Sequence, residues 1–124
     1  MLINLSNHPY NGWSRKQKEL AANHFGIVTD LEFPHVNPEV TSWEIKQLAL
    51  DYFDKISAIL DQCANEPKPN TVHIQGEFTF VFNLVTLLKQ SGIACVASTS
   101  RRDVKETNAG EKIVKFEFVQ FREY

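Results

Sequence analysis

The sequence predicts an α/β protein, a Rossmann-like three-layer fold with a mostly parallel sheet and a C-terminal antiparallel hairpin. Three observations carry this. Short apolar runs bounded by Pro, Gly or polar clusters alternate with longer segments of helical periodicity as far as residue 97. Two of the helical segments open on a capping-box spacing, Ser14 to Gln17 and Thr41 to Glu44. Beyond Arg102 the pattern turns extended, charged and β-rich, with no helical period.

Leu2 to Leu5 reads as a first strand, ending in Ser6-Asn7-His8-Pro9, because proline cannot donate to a ladder. A helix of about ten residues fits between Ser14 and the stop at Gly26. Ile27 to Phe33 alternates and stops at Pro34, as expected of a strand near a sheet edge. From Ile45 the positions Leu48, Ala49, Tyr52, Ile56, Ile59, Leu60 and Cys63 keep to one helical face, the clearest element in the chain. Asn65 to Asn70 is a connection, and Thr71 to Gln75 a third strand ending at Gly76. Phe78 to Leu88 is apolar almost all round; its length and the polar close Lys89-Gln90-Ser91-Gly92 favour a buried helix. Ile93 to Ala97 is a fourth strand, running into Ser98-Thr99-Ser100-Arg101-Arg102. A hairpin of Arg102–Glu106 with Lys112–Phe121 follows; Val114, Phe116 and Phe118 are expected to face the core, and Val119 breaks the alternation as a bulge would.

The 124 residues are read as one domain, 1–124, and 43% hydrophobic content supplies an ordinary core. A net charge of −2, from 13 basic and 15 acidic residues, gives no field to attract duplex nucleic acid or an anionic membrane. No run approaches a membrane span and the N-terminus has no leader pattern, so a cytoplasmic location is expected. Cys63 and Cys95 lack zinc-site spacing and read as core residues. His8, His35 and Glu77 come from separate loops, so no metal and no cofactor is expected, and the glycine patterns of dinucleotide and P-loop sites are absent.

In open parallel sheets ligands bind outside the carboxyl ends of the strands, where strand order reverses. Polar residues gather there: Ser6, Asn7 and His8; Pro34 and His35; Gly76, Glu77 and Thr79; then Ser98, Thr99, Ser100, Arg101 and Arg102. Amides at helix starts, hydroxyls and a bidentate arginine suit a phosphodiester. Each residue alone is also an ordinary turn or cap residue; only their convergence points to a site. His24 reads as a dipole partner at a helix end and His73 as a satisfied strand residue.

The Ser6-Asn7-His8-Pro9 strand end, the Gly76-Glu77-Phe78-Thr79 turn, the Ser98-Thr99-Ser100-Arg101 segment and the closing hairpin together resemble the small stand-alone proteins of the CRISPR-associated Rossmann fold group, which includes ring nucleases. The resemblance covers nearly the whole chain in layout and rests on short motifs. It implies an antiviral-defence protein, a homodimer that holds a cyclic oligoadenylate between two sets of strand ends and cuts it without a metal. In that chemistry the ribose 2′-hydroxyl is the nucleophile, Arg101 stabilises phosphoryl charge and His8 serves as general base or acid. Trp13 or Tyr10 would stack on adenine. A non-catalytic sensor or sponge using the same site, and a protein-interaction module built on the Lys112–Phe121 strand, are the alternatives.

Overall fold

The computed structural model describes residues 1–124. Its elements are β1 (Leu2–Ser6), α1 (Arg15–Phe25), β2 (Val28–Asp30), α2 (Ser42–Gln62), β3 (Thr71–Gln75), α3 (Phe78–Gln90), β4 (Ala94–Glu106) and β5 (Lys112–Glu123). The five strands form one sheet in the order β2-β1-β3-β4-β5, parallel except for the antiparallel β4–β5 pair. The chain steps from β1 to one edge and then back across to β3, so strand order reverses between β1 and β3. Right-handed crossovers then require α1 on one face of the sheet and α2 with α3 on the other.

Local sequence explains the boundaries. The Ser14 hydroxyl accepts from the Gln17 amide at the start of α1, and Gly26, at φ 81°, closes it with a backbone conformation that side chains disfavour. Thr41 accepts from the Glu44 amide at the start of α2. The larger core lies between the sheet and α2–α3, where Ile3, Leu5, Val72 and Ile74 meet Ala49, Ile56, Phe80 and Leu84. On the α1 face a smaller cluster joins Leu2, Trp13, Ala21 and Val96, with Phe25 and Phe121 packed against it.

Four expectations change. The second strand shortens to Val28–Asp30, because Leu31 and Phe33 turn out of the sheet to pack on the larger core. The helix over Phe78–Gln90 forms, but it is not buried all round: Phe78 is 88% exposed and Phe82 71% exposed, since α2 covers only one side of it. The fourth strand does not end at Ala97. It runs on to Glu106 because β5 supplies an antiparallel hydrogen-bonding partner from Val96 to Glu106, so Ser98–Arg102 is strand rather than loop. Finally, the β4–β5 ribbon projects past the last residue of β4 that pairs with β3, Val96. Val114 and Phe116 therefore face away from any core, Phe116 being 69% exposed. The bulge at Val119 is present, between the pairs Thr99–Gln120 and Ser100–Phe118.

Ile56 is fully buried on the core face of α2. Ile56→Ala is expected to lower stability by about 2–5 kcal/mol, the range for a large-to-small core change. Phe82→Ala, on the exposed side of α3, should stay within about 0.5 kcal/mol. Urea unfolding of both variants checks this contrast, and similar losses would mean that α3 is covered on both sides.

Candidate functional site

The polar residues of the sheet lie on its α1 face, for a reason of strand geometry. Side chains alternate between faces, so Leu2, Asn4 and Ser6 of β1 share a side with Thr71, His73 and Gln75 of β3 and with Val96 and Ser98 of β4. Register sets Asn4 beside His73, and His73 beside Val96, which leaves Ser98 two residues further on. Four of these polar residues, Asn4, Ser6, Thr71 and His73, are buried. Burial of such groups is tolerated only when they are hydrogen-bonded.

They are. The Asn4 side-chain amide donates from Nδ2 to Asp30 Oδ1 at 2.8 Å and to the His8 carbonyl at 2.9 Å. That orients Asn4 Oδ1 toward Ser6 Oγ and His73 Nδ1, both at 2.8 Å. On the other side of the ring, His73 Nε2 lies 2.7 Å from Ser98 Oγ and 3.0 Å from Gln75 Oε1. Gln75 is oriented by its own bonds, Nε2 donating to the Ser98 carbonyl and Oε1 accepting from the Ser98 amide. Gln17 of α1 donates to Ser98 Oγ at 3.0 Å. The Trp13 indole closes the arrangement, edge-on to His73 with centroids 5.3 Å apart and its Nε1 donating to the His8 carbonyl. Phe121 flanks the ring at 5.6 Å.

Burial pushes the His73 imidazole down to about 4, against the Gln75 oxygen, which favours the protonated ring; nearby His8 adds to the lowering. The ring is therefore neutral near pH 7 and carries one proton. Asn4 Oδ1 can only accept, which assigns that proton to Nδ1, and Nε2 then accepts from the Ser98 hydroxyl.

Beside this network a cavity of about 380 Å³ opens where β1 and β3 end and β4 leaves β3. His8, Trp13, Gln17, Ser98, Ser100 and Phe116 are among the residues that line it. It lies at the carboxyl edge, next to the reversal between β1 and β3, where open α/β sheets hold ligands.

Of the residues expected at a site, His8, Trp13, Ser98, Thr99 and Ser100 meet here. Trp13 is buried, so it is a wall supporting His73 rather than a stacking surface; the exposed ring at the cavity is Phe116. Ser6 and Asn7 border a neighbouring cleft with Asp30 and Glu32. Gly76, Glu77 and Thr79 are apart. Glu77 caps α3, accepting from the Thr79 and Phe80 amides, and these bonds, led by Phe80, hold its carboxyl below the ordinary value. Gly76 packs under Phe33, whose ring a Cβ would strike.

Arg101 is also apart. Alternation along β4 sets Ser98, Ser100 and Arg102 on the cavity side and Arg101 on the reverse side, opposite Glu117 of β5. Arg102 is thus the arginine aligned with the cavity.

The profile of the uncharacterized protein MJ1673 family matches residues 1–122. The chain belongs to that family. No curated protein and no solved structure matches it. Membership of the MJ1673 family spans the whole α/β unit, so Asn4, His73 and Ser98 all lie within the matched region.

His73 has a folded value near 4 against an ordinary 6.5. The unfolded chain therefore binds more protons between those values, and stability rises with pH across that window. The contribution is complete above about pH 6.5 and lost as pH falls toward 4, amounting to about 3 kcal/mol. Denaturant unfolding at several pH values should show this slope, and His73→Gln should flatten it; an unchanged slope in the variant would remove His73 as its source.

Proposed function

We propose that this domain binds a cyclic oligoadenylate and cleaves it without a metal, as a homodimer in which each protomer takes one adenylate unit at the carboxyl edge of its sheet. The observation that carries this reading is the cavity itself. It joins the amide groups of Gln17 and Gln75 and the Ser100 hydroxyl to an aromatic wall, with Arg102 on the same face at its outer side. Donors of this kind suit phosphoryl oxygens and an exposed phenyl ring suits a base. Its volume is at the small end of ligand pockets, about 300–1,000 Å³, consistent with one nucleotide unit per protomer rather than a whole ring. A net charge of −2 is compatible, since a few phosphates need only a few local donors.

The ribbon supports a second copy as the partner. One of its faces carries Val104, Val114 and Phe116 in solvent and continues into the cavity wall at Phe118. The reverse face sets Arg101 opposite Glu117 and Asp103 opposite Lys115, complementary pairs at home in water. Two-stranded ribbons are marginal alone, so an apolar face that borders the ligand site is suited to close against its symmetry mate. The same exposed face is what favours the protein-interaction module as a second reading.

Incubation with cyclic oligoadenylates of several ring sizes, in the presence of a chelator, tests binding and turnover together. A rise in Tm and linear products ending in 2′,3′-cyclic phosphate are expected. Binding without product would make the protein a sensor or sponge, and neither would favour the interaction module. Sedimentation of the ligand-bound protein as a 14.2 kDa monomer would count against the dimer.

Arg102→Ala is expected to weaken binding by about 1.5–3 kcal/mol, ten- to a hundredfold or slightly more, while Arg101→Ala leaves affinity nearly unchanged. The opposite order in titration calorimetry would move the ligand to the reverse face of the ribbon. His8→Ala should keep affinity and lower single-turnover rate by about 10²–10⁴. An unchanged rate would remove His8 from the chemistry.

A further inference from the structure

We infer that Ser98, His73 and Asn4 form a proton relay that accepts the proton of a ribose 2′-hydroxyl as it attacks the adjacent phosphodiester, an inference that rests on the ligand reading above.

The geometry is that of a proton-carrying hydroxyl, a base and an orienting group spread over three neighbouring strands. Ser98 borders the cavity and its Oγ lies 2.7 Å from His73 Nε2, while Asn4 Oδ1 holds Nδ1 at 2.8 Å. Asp30 in turn fixes Asn4. In the neutral ring with its proton on Nδ1, Nε2 is an acceptor, yet Gln75 Oε1, also an acceptor, faces it at 3.0 Å. Two lone pairs pointed at each other are unfavourable. Gln75 is held there by both of its bonds to the Ser98 backbone, so it cannot turn its amide nitrogen inward without losing them. The contact becomes a hydrogen bond only when Nε2 gains a proton. The site thus carries an acceptor for a proton that the resting ring does not have, which is what a group that receives a proton in the transition state requires.

The step balances as follows. The 2′-hydroxyl proton passes to Ser98 Oγ while the Ser98 proton passes to His73 Nε2, which then donates to Gln75 Oε1. The 2′-oxygen forms its bond to phosphorus, the P–O5′ bond breaks, and the 5′-oxygen takes a proton from protonated His8 on the loop after β1. The products are a 2′,3′-cyclic phosphate and a free 5′-hydroxyl. Solvent afterwards removes the proton from His73 and returns one to His8. His73 does not touch the substrate; it is a positioning residue that acts through Ser98.

The test uses full-length protein and the cyclic oligoadenylate it binds best, with affinity and single-turnover rate measured separately on wild type, Ser98→Ala, Ser98→Thr and the Ser98→Ala/His73→Gln double variant. Ser98→Ala is expected to keep its affinity within about threefold and to lose about 10²-fold or more in rate. Ser98→Thr, which keeps the hydroxyl on a residue suited to a strand, should recover the rate to within about tenfold. If the two residues act as one unit, the double variant is no slower than Ser98→Ala. Ser98→Ala cleaving at the wild-type rate overturns the relay, as does failure of Ser98→Thr to recover. Loss of affinity in Ser98→Ala makes Ser98 a ligand contact instead, and also overturns it. Wild type that binds without cleaving removes the relay but leaves the binding reading standing, whereas wild type that does neither removes the binding reading itself.

Discussion

His73 occupies the centre of the sheet, almost wholly out of water, and the hydrogen bonds that make this tolerable constrain most of what surrounds it. A buried polar ring without partners costs more than an ordinary contact returns, so both of its nitrogens must be met. Meeting Nδ1 requires Asn4 directly across from it, which fixes the β1–β3 register. Holding Asn4 in the right orientation requires Asp30 at the end of β2, and Asp30 also accepts from the Tyr10 amide, tying down the loop that carries His8. Meeting Nε2 requires Ser98, and hence β4 in its observed position beside β3. Gln17 then brings α1 onto the same group, and Trp13, in the segment leading into that helix, packs edge-on against the ring. One side chain thus links four strands and a helix through bonds that fail together if it is removed.

The bulge at Val119 has a comparable role at the edge of the sheet. In a regular strand Phe118 and Phe121 would point to opposite faces. One extra residue between them turns both rings to the α1 side, where their centroids are 5.0 Å apart. Phe121 can then flank His73 while Phe118 lines the cavity and Phe116 continues that face along the ribbon. Bulges that re-aim side chains beside functional sites are a recurrent use of the irregularity.

Much of the fold was legible in the sequence because its signals are local. The Ser14 and Thr41 caps, the helical stripe of α2 and the polar punctuation around β3 each follow from neighbouring residues, and all of them formed as expected. What was not legible depends on a distant partner. Ser98–Arg102 reads as a polar strand end until β5 lies alongside it, and the exposure of Phe78 and Phe82 depends on which side of α3 the second helix covers. The site followed the same division. His8, Ser98, Thr99 and Ser100 could be gathered from topology alone, whereas the choice between Arg101 and Arg102 needed the register of β4. His73 was read as a satisfied strand residue, which it is, without its place beside the cavity. The available signal was the run Thr71, His73 and Gln75 alternating with Val72 and Ile74 in a central strand, where both faces should be apolar.

That departure also separates the two sides of the sheet by purpose. The α2–α3 side is filled with aliphatic and aromatic residues and supplies most of the burial that stabilises the fold. On the α1 side a core built for stability alone would place aliphatic residues at positions 4, 73 and 98, since well-packed apolar groups in place of a buried polar set are often neutral or stabilising. The chain instead holds an imidazole there in its neutral form, at the expense of stability in mild acid, and leaves the serine bonded to it open to a cavity. Local rules broken at a single connected cluster, beside a cleft and at the strand-order reversal, are the pattern of a site whose geometry is under a demand other than folding. The ordinary core on the opposite face is what allows the α1 side to depart from those rules.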